Sequence, residues 1–131
     1  MKYFSFSVLL LSFLIFSCSD QNELESPLSE NKFTSLTSNH ELTEFIKKAE
    51  LASDHLCIVA IDTLQNGFFI PSVLITNNES PASEKLRLMY IGQQHGNEPS
   101  GKEALLLFIS NIVSGDYLHL LNELEILIIP Q

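Results

Sequence analysis

Two apolar runs on either side of an apolar helical stretch constrain the fold of this chain most. Residues 86–92 and 124–129 are typical of strands, and the second run is apolar almost throughout, as in a sheet covered on both faces. Between them, a helix over about residues 99–113 has apolar side chains on every face, which predicts that it is largely buried. A strand, a buried helix and a second strand form a right-handed crossover unit. The predicted class is therefore α/β with a mixed sheet.

The residues before this unit predict a surface helix and a hairpin. Ser38 and Glu41 have the spacing of a capping box, and an amphipathic helical pattern follows them. Two apolar runs, residues 56–61 and 68–76, are joined by turn residues and predict a β-hairpin. Pro71 lies within the second run and indicates an edge strand or a bulge, because proline cannot donate to a strand ladder.

The first residues have the organisation of a secretory signal. Lys2 precedes an apolar stretch, residues 8–16, that is too short for a comfortable membrane span. The small residue Ser17 then precedes Cys18, and this junction resembles the bacterial lipoprotein signal, in which the cysteine is lipidated and becomes the mature N-terminus. The resemblance implies a signal peptide over residues 1–17, a lipid anchor at Cys18, and a location in the bacterial cell envelope, periplasmic or on the outer surface.

The segment after the signal predicts a tether. Residues 18–35 contain mostly Gln, Asn, Glu, Ser and Pro with few large apolar side chains, so they bury too little surface to order themselves. Two alternatives stay open at this end of the chain, namely a membrane-anchor helix and a disulfide between Cys18 and Cys57. Cys57 lies in an apolar run, and we expect it to be a small buried side chain.

The charge balance restricts the partners. The chain of 131 residues has 7 basic and 16 acidic side chains and a formal charge of −9. Removal of residues 1–17 takes away Lys2 and no acid, which makes the charge more negative still. An acidic chain is a poor match for nucleic acid and for anionic membrane surfaces, so we expect no nucleic-acid partner. The part over residues 36–131 is long enough for one small core.

One short motif, His95-Gly96-Asn97-Glu98, carries chemistry. Imidazole nitrogen and carboxylate oxygen are common zinc donors, and a tight turn can direct two residues with this spacing at one ion. We expect Gly96 to give the turn backbone angles that other residues avoid. The motif follows a predicted strand, where open α/β sheets usually place their sites. The alternative is that Glu98 is only an anion in the first turn of the helix, stabilised by its dipole.

The surroundings of the motif support the zinc interpretation. The sequence of residues 89–104 is MYIGQQHGNEPSGKEA. It resembles the first zinc-binding segment of the zinc carboxypeptidase family, and the order of predicted elements over residues 36–131 agrees with that family. The resemblance implies the N-terminal part of a three-layer, mixed-sheet, zinc carboxypeptidase-like (phosphorylase/hydrolase-like) fold. It also implies a domain over residues 36–131 that is truncated at the C-terminus.

The resemblance assigns roles to two residues. His95 and Glu98 match the first two ligands of a catalytic Zn²⁺, and the implied activity is metallocarboxypeptidase cleavage of peptide substrates outside the cytoplasm. The family's later functional residues, namely a third zinc ligand, a general base and substrate-binding arginines, have no counterpart here. In particular, His40, His55 and His119 do not match the family's third ligand. We therefore expect no catalytic residue within this chain, weak zinc binding and no catalysis by the chain alone.

Asn97 leaves the substrate class open. Many digestive members of the family have an arginine at this position, whereas the His-Gly-Asn-Glu form is shared with the aspartoacylase and succinylglutamate desuccinylase group. One alternative is therefore an N-acyl amino acid deacylase. Another is a lipid-anchored module that retains part of a hydrolase fold without its catalysis.

Overall fold

The computed structural model describes residues 24–65 and 68–131, and for residues 60–62 it describes only the backbone. The predicted signal peptide, residues 1–17, and Cys18 lie outside these ranges. The helices are α1 (Pro27–Glu30), α2 (Asn39–Ala52) and α3 (Ser100–Val113), the strands are β1 (Leu56–Thr63), β2 (Phe69–Ile75), β3 (Leu86–Ile91) and β4 (Leu124–Ile129), and short 3-10 helices span Ala82–Glu84 and Leu118–Asn122. Each helix and strand predicted from the sequence is present, with its ends shifted by at most a few residues.

The four described strands form one mixed sheet in the order β1-β2-β4-β3. β1 and β2 form an antiparallel hairpin, β2 and β4 are also antiparallel, and β3 runs parallel to β4. The parallel pair is the one that α3 connects, as the sequence predicts for a strand–helix–strand unit. The prediction of an α/β fold with a mixed sheet is confirmed.

The core lies between the helices and one face of the sheet. On β4, Ile126 and Ile128 are buried, whereas Leu127 and Ile129 on the opposite face are only partly buried. The buried apolar side chains come from α2, α3, the 3-10 helix before β4 and the strands β1, β2 and β4: Leu42, Phe45, Ile46, Ala49, Leu56, Val73, Ile75, Leu106, Ile109, Ile112, Leu121, Ile126 and Ile128. Leu88 of β3 is partly buried and packs beside them. Because alternate strand residues point to opposite faces, one face of the sheet is buried against the helices and the other is more exposed.

The prediction that Pro71 marks an edge strand is wrong. β2 lies inside the sheet and not at its edge, because β4 pairs with it on the side away from β1. The β4 ladder involves only Val73, Leu74 and Ile75, so it ends before Pro71, whose missing N–H costs no bond there. The register shift of the hairpin lies on the partner strand β1, between Ala60 and Asp62, and not on β2, so the prediction of a bulge in the strand that contains Pro71 is wrong as well.

Cys57 is exposed, and the prediction that it is a buried side chain is wrong. It follows the buried Leu56 on β1, and because strand residues alternate between faces, Cys57 lies on the more open face of the sheet. An apolar run does not by itself reveal which of its members point outward. Whether Cys57 pairs with Cys18 stays a prediction, since Cys18 is outside the described residues.

The segment predicted as a tether is packed from Leu24 onward. Ser26 and Pro27 are buried, Ser26 caps the single turn of α1, and the hydroxyl of Ser110 on α3 donates to the carbonyl of Leu24. Leu24 also packs beside the core, and the Ser26 hydroxyl bonds with Ser29 within α1. No helix among the described residues combines the length and apolar character that crossing a bilayer requires.

Candidate metal centre

The candidate site lies in the connection between β3 and α3. β3 ends at Ile91 and α3 begins at Ser100, so the His95–Glu98 motif occupies the loop at the carboxyl end of a sheet strand. Within it the backbone N–H of Glu98 donates to the carbonyl of His95 at 3.0 Å, which closes a tight turn. Pro99 then stands at the N-cap of α3, where its missing N–H leaves no bond unmade.

The turn brings the two predicted ligands together. Nδ1 of His95 lies 3.2 Å from Oε2 of Glu98, and the side chains are 72% and 64% exposed. Two ligand atoms held about 2.0–2.1 Å from a tetrahedral zinc ion are about 3.3–3.4 Å apart, which is close to this separation. The same distance allows a direct hydrogen bond in the absence of metal. The pair therefore fits half of a zinc site, with both donor atoms open to solvent.

The described chain places no further ligand beside this pair. No three His, Cys, Asp or Glu side chains within residues 24–65 and 68–131 are grouped so that they could hold one ion. His40 lies in the first turn of α2, His55 in the turn before β1, and His119 in the 3-10 helix before β4. That none of the three completes the site stays a prediction. Arg87 pairs with Glu125 at 3.0 Å, at the end of β3 away from the motif.

The backbone of the loop is constrained at other residues than the sequence predicts. Gly96 does not adopt a left-handed φ, and a Cβ added to it would meet no atom within 4 Å, so the prediction that it needs angles closed to other residues is wrong. Gln93 has the positive φ instead, at 33°. Gly92 is required for a different reason, because a Cβ there would lie 2.6 Å from the carbonyl oxygen of Pro130.

The first turn of α3 contains two charged residues that the sequence interpretation missed. Lys102 and Glu103 are buried, and both contact Thr37, the residue two positions before α2. The sequence feature that could have revealed these two residues is a Lys-Glu pair at the start of a largely apolar helix. Charged side chains are rarely buried without a partner, so such a pair on a buried helix indicates an internal contact. They anchor the helix that follows the His95–Glu98 turn.

The comparisons with known proteins agree on the fold. No family model matches this chain. Carboxypeptidase 2 of Trichophyton rubrum is 34% identical to it over 55 residues, which cover 40% of this chain and 10% of that protein. Carboxypeptidase A from Helicoverpa armigera superposes on 84% of the chain with a TM-score of 0.64, 16% identity and 29% of its own length covered. A metallo-carboxypeptidase from Burkholderia cenocepacia superposes on 73% of the chain with a TM-score of 0.60, 16% identity and 27% of its own length covered.

The fold of this chain matches part of the carboxypeptidase fold of these solved structures. The chain spans a tenth of the curated relative and less than a third of each of these two solved structures. The metallocarboxypeptidase fold confirms the fold class that the resemblance implied. Assignment to the His-Gly-Asn-Glu subgroup stays a prediction, as do the roles of His95 and Glu98 as ligands.

Proposed function

We propose that this chain is part of a zinc metallocarboxypeptidase-type hydrolase in which His95 and Glu98 are two of the metal ligands. The observation that carries the proposal is the 3.2 Å separation of His95 Nδ1 and Glu98 Oε2 at the end of β3, within a metallocarboxypeptidase fold. The name of the fungal relative, a carboxypeptidase, supports the same class of enzyme. Peptide bonds are the proposed substrate.

The two residues have complementary tasks in this function. When bound, zinc polarises the scissile carbonyl and lowers the pKa of a bound water molecule. Glu98 contributes a negative charge that offsets part of the metal's charge, and His95 contributes a neutral nitrogen ligand. The hydrogen bond from Glu98 N–H to the His95 carbonyl holds the two side chains on one side of the turn. Their exposure leaves room for further ligands and for substrate.

We assign the remaining parts of the mechanism to polypeptide beyond these residues. Two protein ligands are one fewer than a typical catalytic zinc site uses. A third ligand, a general base and positive charges for the substrate carboxylate are therefore proposed to lie in further sequence of the same protein. The gene sequence downstream of the Gln131 codon tests this proposal. A histidine and a glutamate in an open reading frame there would support it, and an authentic stop codon directly after Gln131 would contradict it.

The location is part of the same proposal. Lipidation at Cys18 would hold the hydrolase at the cell envelope, where peptides are more plausible substrates than cytoplasmic metabolites are. Palmitate labelling of cells that express the full gene tests this, with Cys18→Ser as the variant and Cys57→Ser as the matched control. Label that is lost only from Cys18→Ser would support the anchor, and equal labelling of all forms would contradict it.

The metal-binding part is tested on the full chain in mild detergent. Isothermal titration with Zn²⁺ should show weak one-to-one binding, because two protein ligands leave the coordination shell incomplete. Binding should be lost in His95→Ala and in Glu98→Ala. His119→Ala and Glu123→Ala are matched controls, since both residues are exposed and lie at the other end of the β3–β4 unit. Equal affinity in all five proteins would refute the assignment of the ligands.

A further inference from the structure

Gln93 combines three features that set it apart within the loop between β3 and α3. It is the residue of that loop with a positive φ, 33°, which side chains other than glycine rarely adopt. Its Nε2 donates to the carbonyl oxygen of Gly96 at 3.1 Å. Its Oε1 is buried without a hydrogen-bond partner among the described residues. Strain and an unpaired buried acceptor both oppose folding, so a residue needed only for packing would avoid them.

The contact of Gln93 with Gly96 acts on the metal-binding turn. Gly96 lies between His95 and Glu98, and one backbone hydrogen bond, from Glu98 N–H to the His95 carbonyl, otherwise closes that turn. The Gln93 amide adds a second tie from outside the turn, to the carbonyl in its middle. The exposed side chains of His95 and Glu98 could move apart if the loop backbone were mobile, and a fixed backbone limits that movement.

The backbone of Gln93 is itself held on both sides. Gly92 donates its N–H to the carbonyl of Ile129 at 2.8 Å, which extends the β3–β4 pairing by one residue. A Cβ added to Gly101 in the first turn of α3 would lie 3.4 Å from the nitrogen of Gln93, so the helix and this residue approach closely. Gln93 therefore lies between the β3–β4 pair and the first turn of α3. Because both elements fix its backbone, its amide can hold the Gly96 carbonyl in one place.

We propose that Gln93 is a positioning residue for the metal centre, which holds the His95–Glu98 turn in its ligating geometry through the Gly96 carbonyl. This inference rests on the proposed function. Among the described residues, no side-chain hydrogen bond joins Gln93 to His95 or Glu98, and its role is that of an outer partner that orients ligands. Loss of such partners lowers metal affinity by about 10–100-fold.

The test uses the full chain and replaces the amide by a side chain of similar length without hydrogen-bonding groups. Gln93→Met should lower the Zn²⁺ affinity about tenfold relative to the unmodified chain. Gln94→Met is the matched control, because Gln94 is the adjacent glutamine, is exposed and should leave the affinity unchanged. Gln93→Gly is a second variant, which accepts the positive φ and still lacks the amide, so it should lose affinity as Gln93→Met does.

Two further readouts separate positioning from a merely structural role. The visible absorption bands of bound Co²⁺ report ligand geometry, and they should change in Gln93→Met and stay unchanged in Gln94→Met. The urea midpoint of the metal-free protein should not fall in Gln93→Met, because removal of the unpaired buried acceptor offsets the loss of the hydrogen bond to Gly96.

The outcomes distinguish this inference from the function on which it rests. If His95→Ala leaves Zn²⁺ binding unchanged, the proposed metal centre fails and the role of Gln93 fails with it. If His95→Ala abolishes binding while both Gln93 variants bind Zn²⁺ and show Co²⁺ spectra like the unmodified chain, only the role of Gln93 is overturned. An affinity loss in Gln93→Met that is matched by Gln94→Met would overturn it as well.

Discussion

Thr37 and Glu103 are joined by two hydrogen bonds across 66 residues of sequence. The backbone N–H of Thr37 donates to Oε1 of Glu103 at 2.8 Å, and the Thr37 hydroxyl donates to Oε2 at 2.6 Å. The ammonium group of Lys102 donates to the Thr37 carbonyl and lies 4.0 Å from Glu103. The segment that enters α2 is thereby fixed to the first turn of α3, the helix that follows the His95–Glu98 turn.

Glu103→Ala should lower the free energy of unfolding by about 3 kcal/mol, because it leaves the buried Lys102 ammonium and two Thr37 donors without their carboxylate. Urea unfolding followed by circular dichroism measures the change. Glu98→Ala is the matched control, since Glu98 lies just before the same helix and its side chain is 64% exposed. Equal destabilisation by the two substitutions would contradict a special role for the Thr37 contact.

Gly92→Ala should destabilise the fold and Gly96→Ala should not. The new methyl group at position 92 would lie 2.6 Å from the Pro130 carbonyl oxygen, so the end of β3 and the chain after β4 must move apart. We expect a cost of about 1–3 kcal/mol, as for other overpacked sites. At position 96 the methyl group meets no atom within 4 Å. Unfolding midpoints of the two variants provide the measurement, and a loss in Gly96→Ala that equals the loss in Gly92→Ala would refute the prediction.

The pKa of Glu41 should lie below the ordinary glutamate value in the folded protein. Hydrogen bonds from the side chain and the backbone N–H of Ser38 favour the carboxylate and lower the pKa of Glu41. Because the folded pKa is lowered, the stabilisation is present above the ordinary glutamate pKa and is lost as the pH falls through the folded value. Side-chain NMR titration of the unmodified chain and of Ser38→Ala should show the Glu41 pKa rising in the variant.

Glu44 provides the internal control for that titration. Its pKa is also lowered, but by the hydrogen bond and charge of Lys47 and not by Ser38. The Glu44 pKa should therefore stay the same in Ser38→Ala. A parallel rise of both pKa values would indicate that the variant unfolds the start of α2, and the capping interpretation would then be wrong.

The β3 edge of the described sheet should promote self-association of the protein. β4 lies inside the described sheet, and β3 is one of its two edges. Met89 and Ile91 on β3 are 60% and 48% exposed, and an apolar edge strand is a template for pairing with another chain. Met89→Lys should reduce aggregation, as measured by light scattering at constant concentration.

The matched control is Leu51→Lys on α2. Leu51 is 88% exposed, so this variant removes an exposed apolar side chain and adds the same charge away from any strand edge. Its effect on scattering should be small. If Leu51→Lys suppressed aggregation as strongly as Met89→Lys, net charge and not the β3 edge would be responsible.

Features that depend on neighbouring residues could be predicted from the sequence. Ser38 and Glu41 form the capping box that their spacing indicates, because the bonds involved lie within one turn. The convergence of His95 and Glu98 also follows from local geometry, since a single turn brings the two side chains together. The succession of helices and strands along the chain could also be predicted, because each element has its own hydrophobic periodicity.

Features that depend on distant residues were decided only by the tertiary structure. Cys57 and Leu56 are neighbours in one apolar run, and only the packing of the helices on one sheet face makes one exposed and the other buried. The unusual backbone angle of the loop is at Gln93 and not at Gly96, because the close approach of α3 and the β4 end constrains the chain there. The sequence by itself therefore determined the helices and strands and the proximity of His95 and Glu98, because the interactions involved are local. The tertiary structure decided strand order, exposure and the positioning of the turn, whose interactions join residues that are far apart in the chain.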